Sequence, residues 1–512
     1  MPITYKGKTL TAEQESHVNT ILDGNNYAIQ APPGSGKTFL LLAMARKMSG
    51  YGLSISFNKL LAQEASTKFA SSVTCKTGHA LAYGAIGYKY KKKLQKLTGK
   101  QLADTFDIGD WQLYNSPSNK GYLILNTIRK YCYSSDEVMS YKHLPRLTIL
   151  QDADLDIMRE DLVQHANLVF NEMTDCSKPM PITHDVYLKI WALTNPIINK
   201  DFIFFDEYQD SNPVIAQVIK NQSCQKIFVG DQFQQIYAWR GAVNALQDEN
   251  LTKLYITRSF RFGESIASMS NKIISSYYPH KFAYVPFHGN DDVTSSVHYG
   301  SLSSVDAILC RTNKGIIAET ISSLEKGLSV HILGGTQQLT YLINSILQLK
   351  LQGYSNHPDL FLFKNFADLK EYADSPMGGD IKPILKLIEQ YGRERLLNIL
   401  ESTVEDPAEA DVTITTAHKA KGLEWSKVRL SNDFKVPSDQ GNPTQEETNI
   451  LYVAASRALH QLDLSTCEAC WPQTFDRART VAYEQWQVDQ MVEDDINRQY
   501  VEDVYKNPIE GA

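Results

Sequence analysis

Glycines, a lysine and a threonine lie together in the stretch "APPGSGKT", residues 31–38. The glycines would let backbone N–H groups turn toward phosphate oxygens, the lysine amine could meet the β- and γ-phosphates, and the threonine hydroxyl could bind Mg²⁺. The strict pattern has a glycine where this chain has Ala31, so the match departs from it at one position. The residues predicted to hold ATP and Mg²⁺ here are Gly34, Gly36, Lys37 and Thr38.

Two adjacent carboxylates follow an apolar run in "FIFFDEYQD", Phe202–Asp210. Asp206 could hold Mg²⁺ through its water shell, and Glu207 could orient and deprotonate an attacking water. One carboxylate after a strand is weak evidence, but an Asp-Glu pair with a phosphate-binding loop upstream is specific. The pair therefore predicts hydrolysis of the nucleotide rather than binding alone.

A third stretch, "VGDQFQQIYAWRGA" (Val229–Ala242), has an apolar run that ends at Asp231. A loop that only packed against a core would not need an amide pair and then a Trp-Arg pair. Gln234 or Gln235 could face a phosphate. Trp239 could stack on a base or pack in the core, and the partner of its neighbour Arg240 stays open.

The elements that must position these residues are two sets of short apolar runs alternating with helical stretches. The first set is "YAIQA", "SISF", "FIFFD" and "KIFVG", and the second is "AILC", "SVHIL", "VTITT" and "KVRLS". Mainly helical segments interrupt the sets at about residues 85–197 and 336–405. This βα alternation predicts an α/β fold with two parallel-sheet, nucleotide-binding domains, each carrying a mainly helical insertion.

Composition narrows the class of protein further. The chain has 512 residues, 43% hydrophobic and 21% charged, which is typical of a globular protein. There is no apolar run of about 18 residues, so no membrane span is expected. Seven scattered cysteines favour a reducing, intracellular compartment (cytoplasm, nucleoid or nucleus), with Cys467 and Cys470 as plain structural cysteines.

The charge balance bears on nucleic acids. A net charge of −7 counts against a protein that coats nucleic acid without specificity. One basic cluster stands out, "GYKYKKKLQKLTGK", residues 87–100. It is either a solvated face or a site of phosphate contact with aromatic support.

The motifs, in their order, resemble those of UvrD/Rep-type superfamily 1 DNA helicases. "DEYQD" and "GDQFQQIYAWRGA" are similar to motifs II and III. "LTAEQ" resembles the Q-motif, "SFNKLLAQEA" motif Ia, "TCKTGHALA" motif Ib, "RSFRFGESIA" motif IV, "TITTAHKAKGLEW" motif V and "NILYVAASRAL" motif VI. The resemblance spans about residues 10–465 and implies two RecA-like domains that share one ATP cleft.

The resemblance also implies roles for single residues. Those implied to contact the nucleotide are Gln14 at the adenine edge, Phe260 stacked on adenine where the family usually has tyrosine, Gly422 near phosphate and Glu424 at the ribose. The family register selects Gln234 for the γ-phosphate. Arg457 is the first candidate for an arginine finger and Arg261 the second, and the alternative for each is a surface ion pair.

Single-stranded DNA is implied to cross the tops of both sheets. The residues implied to contact its backbone are Asn58, Lys59, Thr77, His79, Thr416 and His418. The family register also favours base stacking for Trp239, which would grip the strand without sequence preference.

Domain limits follow from the motifs. They are 1–84 with 198–258 for the first RecA-like domain (1A), 85–197 for its helical insertion (1B), 259–335 with 406–490 for the second RecA-like domain (2A), 336–405 for a small insertion (2B), and 491–512 for an acidic tail.

The function implied is an ATP-dependent motor on single-stranded DNA and single/double-strand junctions, moving 3′ to 5′ and unwinding duplex or displacing bound proteins. It is expected to act as a monomer, with possible protein partners in repair or recombination. Three alternatives remain: a translocase that mainly strips proteins from single strands, an ATP-gated clamp or effector with little unwinding, and an RNA helicase.

Several spellings are closest to the F-box DNA helicases, among them "SFNKLLAQEA", "SFRFG" and "HKAKGLEW". The eukaryotic members of that family carry an F-box before the motor. The Q-motif here begins by residue 10, which leaves no room for one, so the resemblance is expected to cover the motor alone.

Overall fold

The computed structural model describes residues 4–5, 8–114, 116–145, 152–237, 251–277, 284–355, 357, 360, 363, 365–374, 381–438, 441–485 and 487. The chain divides into two compact units, residues 1–256 with 336–402 and residues 257–335 with 403–512. The limits predicted for the individual domains stay predictions.

The first unit is built on a six-stranded sheet whose neighbouring strands are all parallel. The strands of residues 1–256 are β1 Thr4–Tyr5, β2 Lys8–Thr9, β3 Tyr27–Gln30, β4 Gly52–Ile55, β5 Val73–Lys76, β6 Phe202–Phe205, β7 Gln225–Gly230 and β8 Thr252–Tyr255. β1 and β2 form a separate antiparallel pair, and the sheet order is β5-β4-β6-β7-β3-β8.

The helices of this part cover both faces of the sheet. They are α1 Ala12–Thr20, α2 Lys37–Lys47, α3 Lys59–Lys68, α4 Gly78–Ala85, α5 Gly99–Thr105, α6 Pro117–Tyr133, α7 Asp152–Thr174, α8 His184–Leu193 and α9 Pro213–Lys220. The sequence of β6 is apolar throughout because each face of the strand is buried in a different core. Phe202 and Phe204 join the core with α2, whereas Ile203 and Phe205 join the core with α6 and α8. Alternate residues point to opposite faces, and both faces are covered.

The second unit repeats the architecture with another six-stranded parallel sheet. Its strands are β9 Ser296–His298, β10 Ala307–Cys310, β11 Val330–Ile332, β12 Val412–Thr416, β13 Trp425–Leu430 and β14 Ala458–Asp463, in the order β11-β12-β10-β13-β14-β9. The two parallel sheets confirm the predicted α/β class with two RecA-like domains.

The remaining helices are α10 Glu264–Tyr277, α11 Asn313–Glu325, α12 Gln337–Gln352, α13 Phe366–Asp374, α14 Lys382–Tyr391, α15 Arg393–Glu401, α16 Ala417–Ala420 and α17 Gln445–Ala455, and residues 472–485 are also helical. Helices α12 to α14 share an apolar core of their own, to which Ile346, Leu349, Leu369 and Leu385 contribute. No helix in the described part of the chain is both long and apolar enough to cross a bilayer.

Candidate active site

The phosphate-binding loop connects β3 to α2, at the carboxyl edge of the first sheet. Gly34 has φ 72° and Gly36 has φ 77°, and this left-handed conformation strongly favours glycine. Gly36 is the N-cap of α2, so the first backbone N–H groups of that helix face the loop. Ala31, where the strict pattern has glycine, instead donates its N–H to the Gly230 carbonyl at 2.8 Å and extends the pairing with β7.

The interior of this loop carries a polar atom that suits a phosphate. Ser35 is 1% exposed, and among the described residues its hydroxyl has no hydrogen-bond partner. Gln14 donates its amide to the Ser35 carbonyl at 3.2 Å and accepts from the Thr11 N–H at 3.1 Å. The structure thus places the predicted adenine reader against the backbone of the loop.

Asp206 and Glu207 follow β6 at the same edge of the sheet. Burial, and then the charge of Glu207, raise the pKa of Asp206 to about 7, and Lys37 partly offsets this. The Lys37 amine lies 3.5 Å from a Glu207 carboxylate oxygen. The half-buried, electrostatically crowded carboxylate of Asp206 and the half-buried Thr38 in the first turn of α2 form an oxygen donor set that fits Mg²⁺.

The backbone of Glu207 is unusual. Its φ is 51° and its ψ is 44°, which is the left-handed region that non-glycine residues rarely adopt. Such strain persists only where the surroundings fix it, and it is concentrated at functional positions.

An amide that the sequence analysis missed connects the carboxylates to the third motif. Gln209 is fully buried, donates to a Glu207 carboxylate oxygen at 2.6 Å and accepts from the Asp231 N–H at 3.1 Å. The signal was present in the sequence, because Gln209 stands two residues after the predicted base in "DEYQD".

Asp231 organises the loop after β7. Its carboxylate accepts from the Gln30 amide at 2.8 Å and from the Gln234 amide at 2.9 Å. Gln234 and Gln235 are 5% and 8% exposed, so both amides are buried. Trp239 and Arg240, for which base stacking and an open partner were predicted, lie outside the described residues.

Two aromatic rings lie next to this loop, and the sequence analysis had singled out neither. Phe57, directly after the β4 strand and its Ser56, stacks on Tyr237 with ring centroids 6.0 Å apart and planes 8° from parallel. Phe57 is 41% exposed. A cavity of about 320 Å³ lies beside Phe57 and His79. A parallel ring pair with one exposed and one half-buried member suits stacking against bases.

The predicted backbone contacts of the first unit lie at the same edge. Asn58 and Thr77 are the N-caps of α3 and α4, accepting from the Leu61 N–H at 2.9 Å and the Ala80 N–H at 3.1 Å. Lys59 is exposed in the first turn of α3. His79 lies 3.0 Å from the Asp185 carboxylate.

In the second unit, Arg261 and Glu424 are brought together. The Arg261 Nε lies 2.7 Å from a Glu424 oxygen, and Arg261 also donates to the Ser456 carbonyl at 3.3 Å. Phe260 is 42% exposed, and Gly422 has φ 88°. The predicted ribose contact and the second arginine candidate are therefore ion-pair partners.

Arg457, the first arginine candidate, is 1% exposed. Its guanidinium donates to the Val453 carbonyl at 2.9 Å, the Leu423 carbonyl at 3.5 Å and the Ser456 hydroxyl at 2.9 Å. In this structure the side chain braces α17 rather than facing solvent.

The remaining predicted contacts of the second unit lie at the end of β12. Thr416 is 8% exposed and caps α16, accepting from the Lys419 N–H at 3.3 Å, and His418 is half-buried in that short helix. Cys467 and Cys470 are buried, and the described residues hold no group of three His, Cys, Asp or Glu placed to bind a metal.

Two segments of the chain match models of known protein families. Residues 192–253 match the UvrD/REP helicase N-terminal domain, and residues 362–469 match the UvrD-like helicase C-terminal domain. Segments of the chain are thus similar to both UvrD-like helicase domains, and the resemblance inferred from its motifs is confirmed.

Individual relatives point to one branch. The chain is 30% identical to F-box DNA helicase 1 of Gallus gallus over 496 residues, which cover 88% of this chain and 48% of that protein. It is 28% identical to F-box DNA helicase protein 1 of Schizosaccharomyces pombe over 511 residues, covering 90% of this chain and 57% of that protein. The chain spans about half the length of these curated relatives.

Proposed function

We propose that the chain is an ATP-driven motor that moves 3′ to 5′ on single-stranded DNA, unwinds duplex at single/double-strand junctions and acts as a monomer in repair or recombination. One observation carries the proposal. A continuous set of polar contacts links Lys37, Glu207, Gln209, Asp231 and Gln234, and the loop that ends it also supplies Tyr237, which stacks on the exposed Phe57.

The chemistry assigned to these residues is in-line hydrolysis of the terminal phosphoanhydride. The glycine loop and Lys37 hold the phosphates, while Glu207 orients a water and takes its proton as the oxygen attacks phosphorus. Thr38 and Asp206 would hold Mg²⁺, which when bound neutralises charge on the phosphates. A movement of the Glu207 side chain can be transmitted through its contacts with Gln209 and Asp231 to the loop that carries Tyr237.

The grip on the strand is assigned to the ring pair and to the polar residues around it. Phe57 and Tyr237 would stack on bases without reading them, which a translocating motor requires. Asn58, Thr77 and His79 would bind phosphates through hydrogen bonds from an amide, a hydroxyl and an imidazole, so that release can follow each step. The direction of movement rests on the motif resemblance to UvrD/Rep-type helicases.

The test is the ATPase rate with and without single-stranded DNA and RNA, for the natural chain and for Glu207→Gln. DNA should stimulate the natural chain strongly and the variant hardly at all. Equal stimulation by RNA would make it an RNA motor, and no stimulation by either polymer would remove the motor proposal. Strand displacement with 3′ or 5′ tails then decides the direction, and hydrolysis without displacement would favour the clamp or the protein-stripping translocase.

A further inference from the structure

One of the assigned strand contacts, His79, has a carboxylate partner to which the proposed function gives no role. The imidazole Nε2 of His79 lies 3.0 Å from a carboxylate oxygen of Asp185, in the first turn of α8. Within the described part of the chain, no other side chain donates to that carboxylate. The side chains of His79 and Asp185 are 41% and 24% exposed, so a strand can reach the ring while Asp185 holds it.

The backbone of His79 is held as firmly as its ring. Tyr187 of α8 donates its hydroxyl to the His79 carbonyl at 3.4 Å, and the two rings pack edge to face with centroids 6.4 Å apart. The neighbouring Gly78 packs so closely against α9 that a Cβ there would lie 2.7 Å from Cγ1 of Ile215. The first turn of α4 therefore presents the imidazole at a fixed place beside the helical insertion.

The cavity of about 320 Å³ beside Phe57 and His79 is poor in positive charge. Its ionisable lining residues besides His79 are the carboxylates Asp185 and Asp210 and the phenol Tyr133, and among the described residues no lysine or arginine lines it. Tyr187 is the other ionisable group in contact with the ring. His79 is thus the lining residue that can bring a positive charge to a phosphate here.

Hydrogen-bond roles decide how His79 can meet a phosphate. An ionised carboxylate only accepts hydrogen bonds, and a phosphate oxygen likewise accepts. Asp185 takes the proton of one ring nitrogen, so in a neutral ring the second nitrogen is an acceptor as well. A hydrogen bond from the ring to phosphate therefore requires a proton on both nitrogens. The same holds whichever nitrogen faces Asp185.

We infer that Asp185 is a positioning residue for the strand contact at His79, and that the ring makes this contact doubly protonated, so that binding of the single strand takes up a proton. The inference rests on the proposed motor function. The proton comes from solvent as the strand binds and returns to solvent on release. Strand affinity should therefore rise as the pH falls through the range in which histidines titrate, and decrease as the pH rises.

The experiment titrates a fluorescent oligothymidylate at pH 6 and pH 8, at constant ionic strength. The natural chain should bind about tenfold more tightly at pH 6, because it gains a hydrogen bond from a charged donor. His79→Gln measures the pH dependence that all other groups contribute. Asp185→Asn should fall to that level, since its amide can donate to one ring nitrogen and leave a neutral N–H for the phosphate.

Two further variants separate positioning from packing. Asp185→Glu retains the carboxylate and should retain most of the pH dependence, which a purely structural role would not require. The double variant of Asp185→Asn with His79→Gln should show no change beyond His79→Gln alone, because the two residues act as one unit. The matched control is Asp104→Asn, which removes an exposed aspartate of α5 and should behave as the natural chain does.

Equal pH dependence in the natural chain and in His79→Gln would overturn the inference, and so would full pH dependence in Asp185→Asn. The same flattening in Asp104→Asn would also overturn it, since the effect would then follow from net charge. Failure of the motor proposal is seen separately, as an absence of DNA-stimulated ATPase in the natural chain at either pH. Failure of this inference alone leaves that stimulation intact.

Discussion

The candidate site residues of the two units differ in what they are bonded to. In the first unit, Lys37, Glu207 and Gln209 are bonded to one another and to the loop that follows β7. In the second unit, Arg457 is bonded to main-chain carbonyls of its own unit and Arg261 to the carboxylate of Glu424. The first set is assembled around an open loop, whereas the arginines of the second are occupied by local partners.

This difference indicates that a rate-limiting conformational change is to be expected at Arg457 rather than at Lys37 or Glu207. Lys37 and Glu207 keep 13% and 27% of their side-chain surface exposed, so a nucleotide can reach them as they stand. Arg457 is 1% exposed and must exchange its carbonyl partners before it can meet any phosphate. If Arg457 is the arginine finger, hydrolysis has to wait for that exchange.

The largest loss of turnover is expected for substitution of Arg457. Arg457→Ala should lower turnover roughly 10³-fold or more if the guanidinium stabilises the transition state. It should also lower the free energy of unfolding by about 1–3 kcal/mol, because buried carbonyls lose their donors. ATPase assays and denaturant titration measure the two quantities. Arg457→Lys, which retains the charge, serves if the alanine variant does not fold.

Arg261→Ala is the comparison variant, since its ion pair with Glu424 is partly exposed and worth less than about 1 kcal/mol. A stability loss at Arg457 with normal turnover per folded molecule would make that residue a structural brace only.

Glu207→Gln tests the first unit. Loss of the general base should reduce turnover about 10²- to 10⁴-fold while nucleotide binding is retained, because the amide keeps the size but cannot take a proton. Steady-state ATPase and direct nucleotide binding give the two values. Glu64→Gln, on the exposed face of α3, is the control and should behave as the natural chain does. Turnover near the natural rate in Glu207→Gln would assign the base elsewhere.

Phe57→Ala should weaken single-strand binding by roughly 5- to 150-fold, since one stacked base contributes about 1–3 kcal/mol. Nucleotide binding should not change. Titration of a fluorescent oligonucleotide measures the loss. Tyr51→Ala is a control at the opposite end of β4: Tyr51 is 67% exposed and precedes the strand, whereas Phe57 lies beyond its carboxyl end. Equal losses in both variants would contradict a specific role for the ring pair.

Gln209→Leu should give the smallest of these effects, about a tenfold loss of turnover with an unchanged KM for ATP, because Gln209 positions Glu207 without touching substrate. Gln209→Glu should also shift the pH profile upward, since a second carboxylate next to Glu207 raises the pKa of the pair. Gln217→Leu, on the exposed side of α9, is the control. An unchanged pH profile in Gln209→Glu would leave Gln209 with a packing role alone.

Apart from β13, which was predicted although it is half-exposed, the predicted strands are more buried than those that the sequence missed. β6 and β10 are buried along their whole length, so each reads as a continuous apolar run. β5, β8 and β9 lie at sheet edges and are half-exposed, and their sequences lack that run. The α/β class was predictable because the central strands suffice to define it.

The residues of the candidate site also divide into those that the sequence predicted and those that it missed. Lys37, Asp206 and Glu207 were predictable because their chemistry requires fixed residue types at fixed spacing. Gln209 and Phe57 were missed because their roles depend on contacts made in the fold, to Asp231 in one case and Tyr237 in the other. The burial of Arg457 could not be read from the motif, which gives residue order and no rotamer.

The left-handed backbone at Glu207 has a consequence for variants selected by heat. Asparagine and glycine adopt that conformation more readily than glutamate, so either should relieve strain of about 1–3 kcal/mol at this position. Neither can act as a base. A library of variants screened for stability at high temperature would therefore be enriched in substitutions of Glu207 that abolish hydrolysis. Thermal stability would be a misleading guide to function at this position.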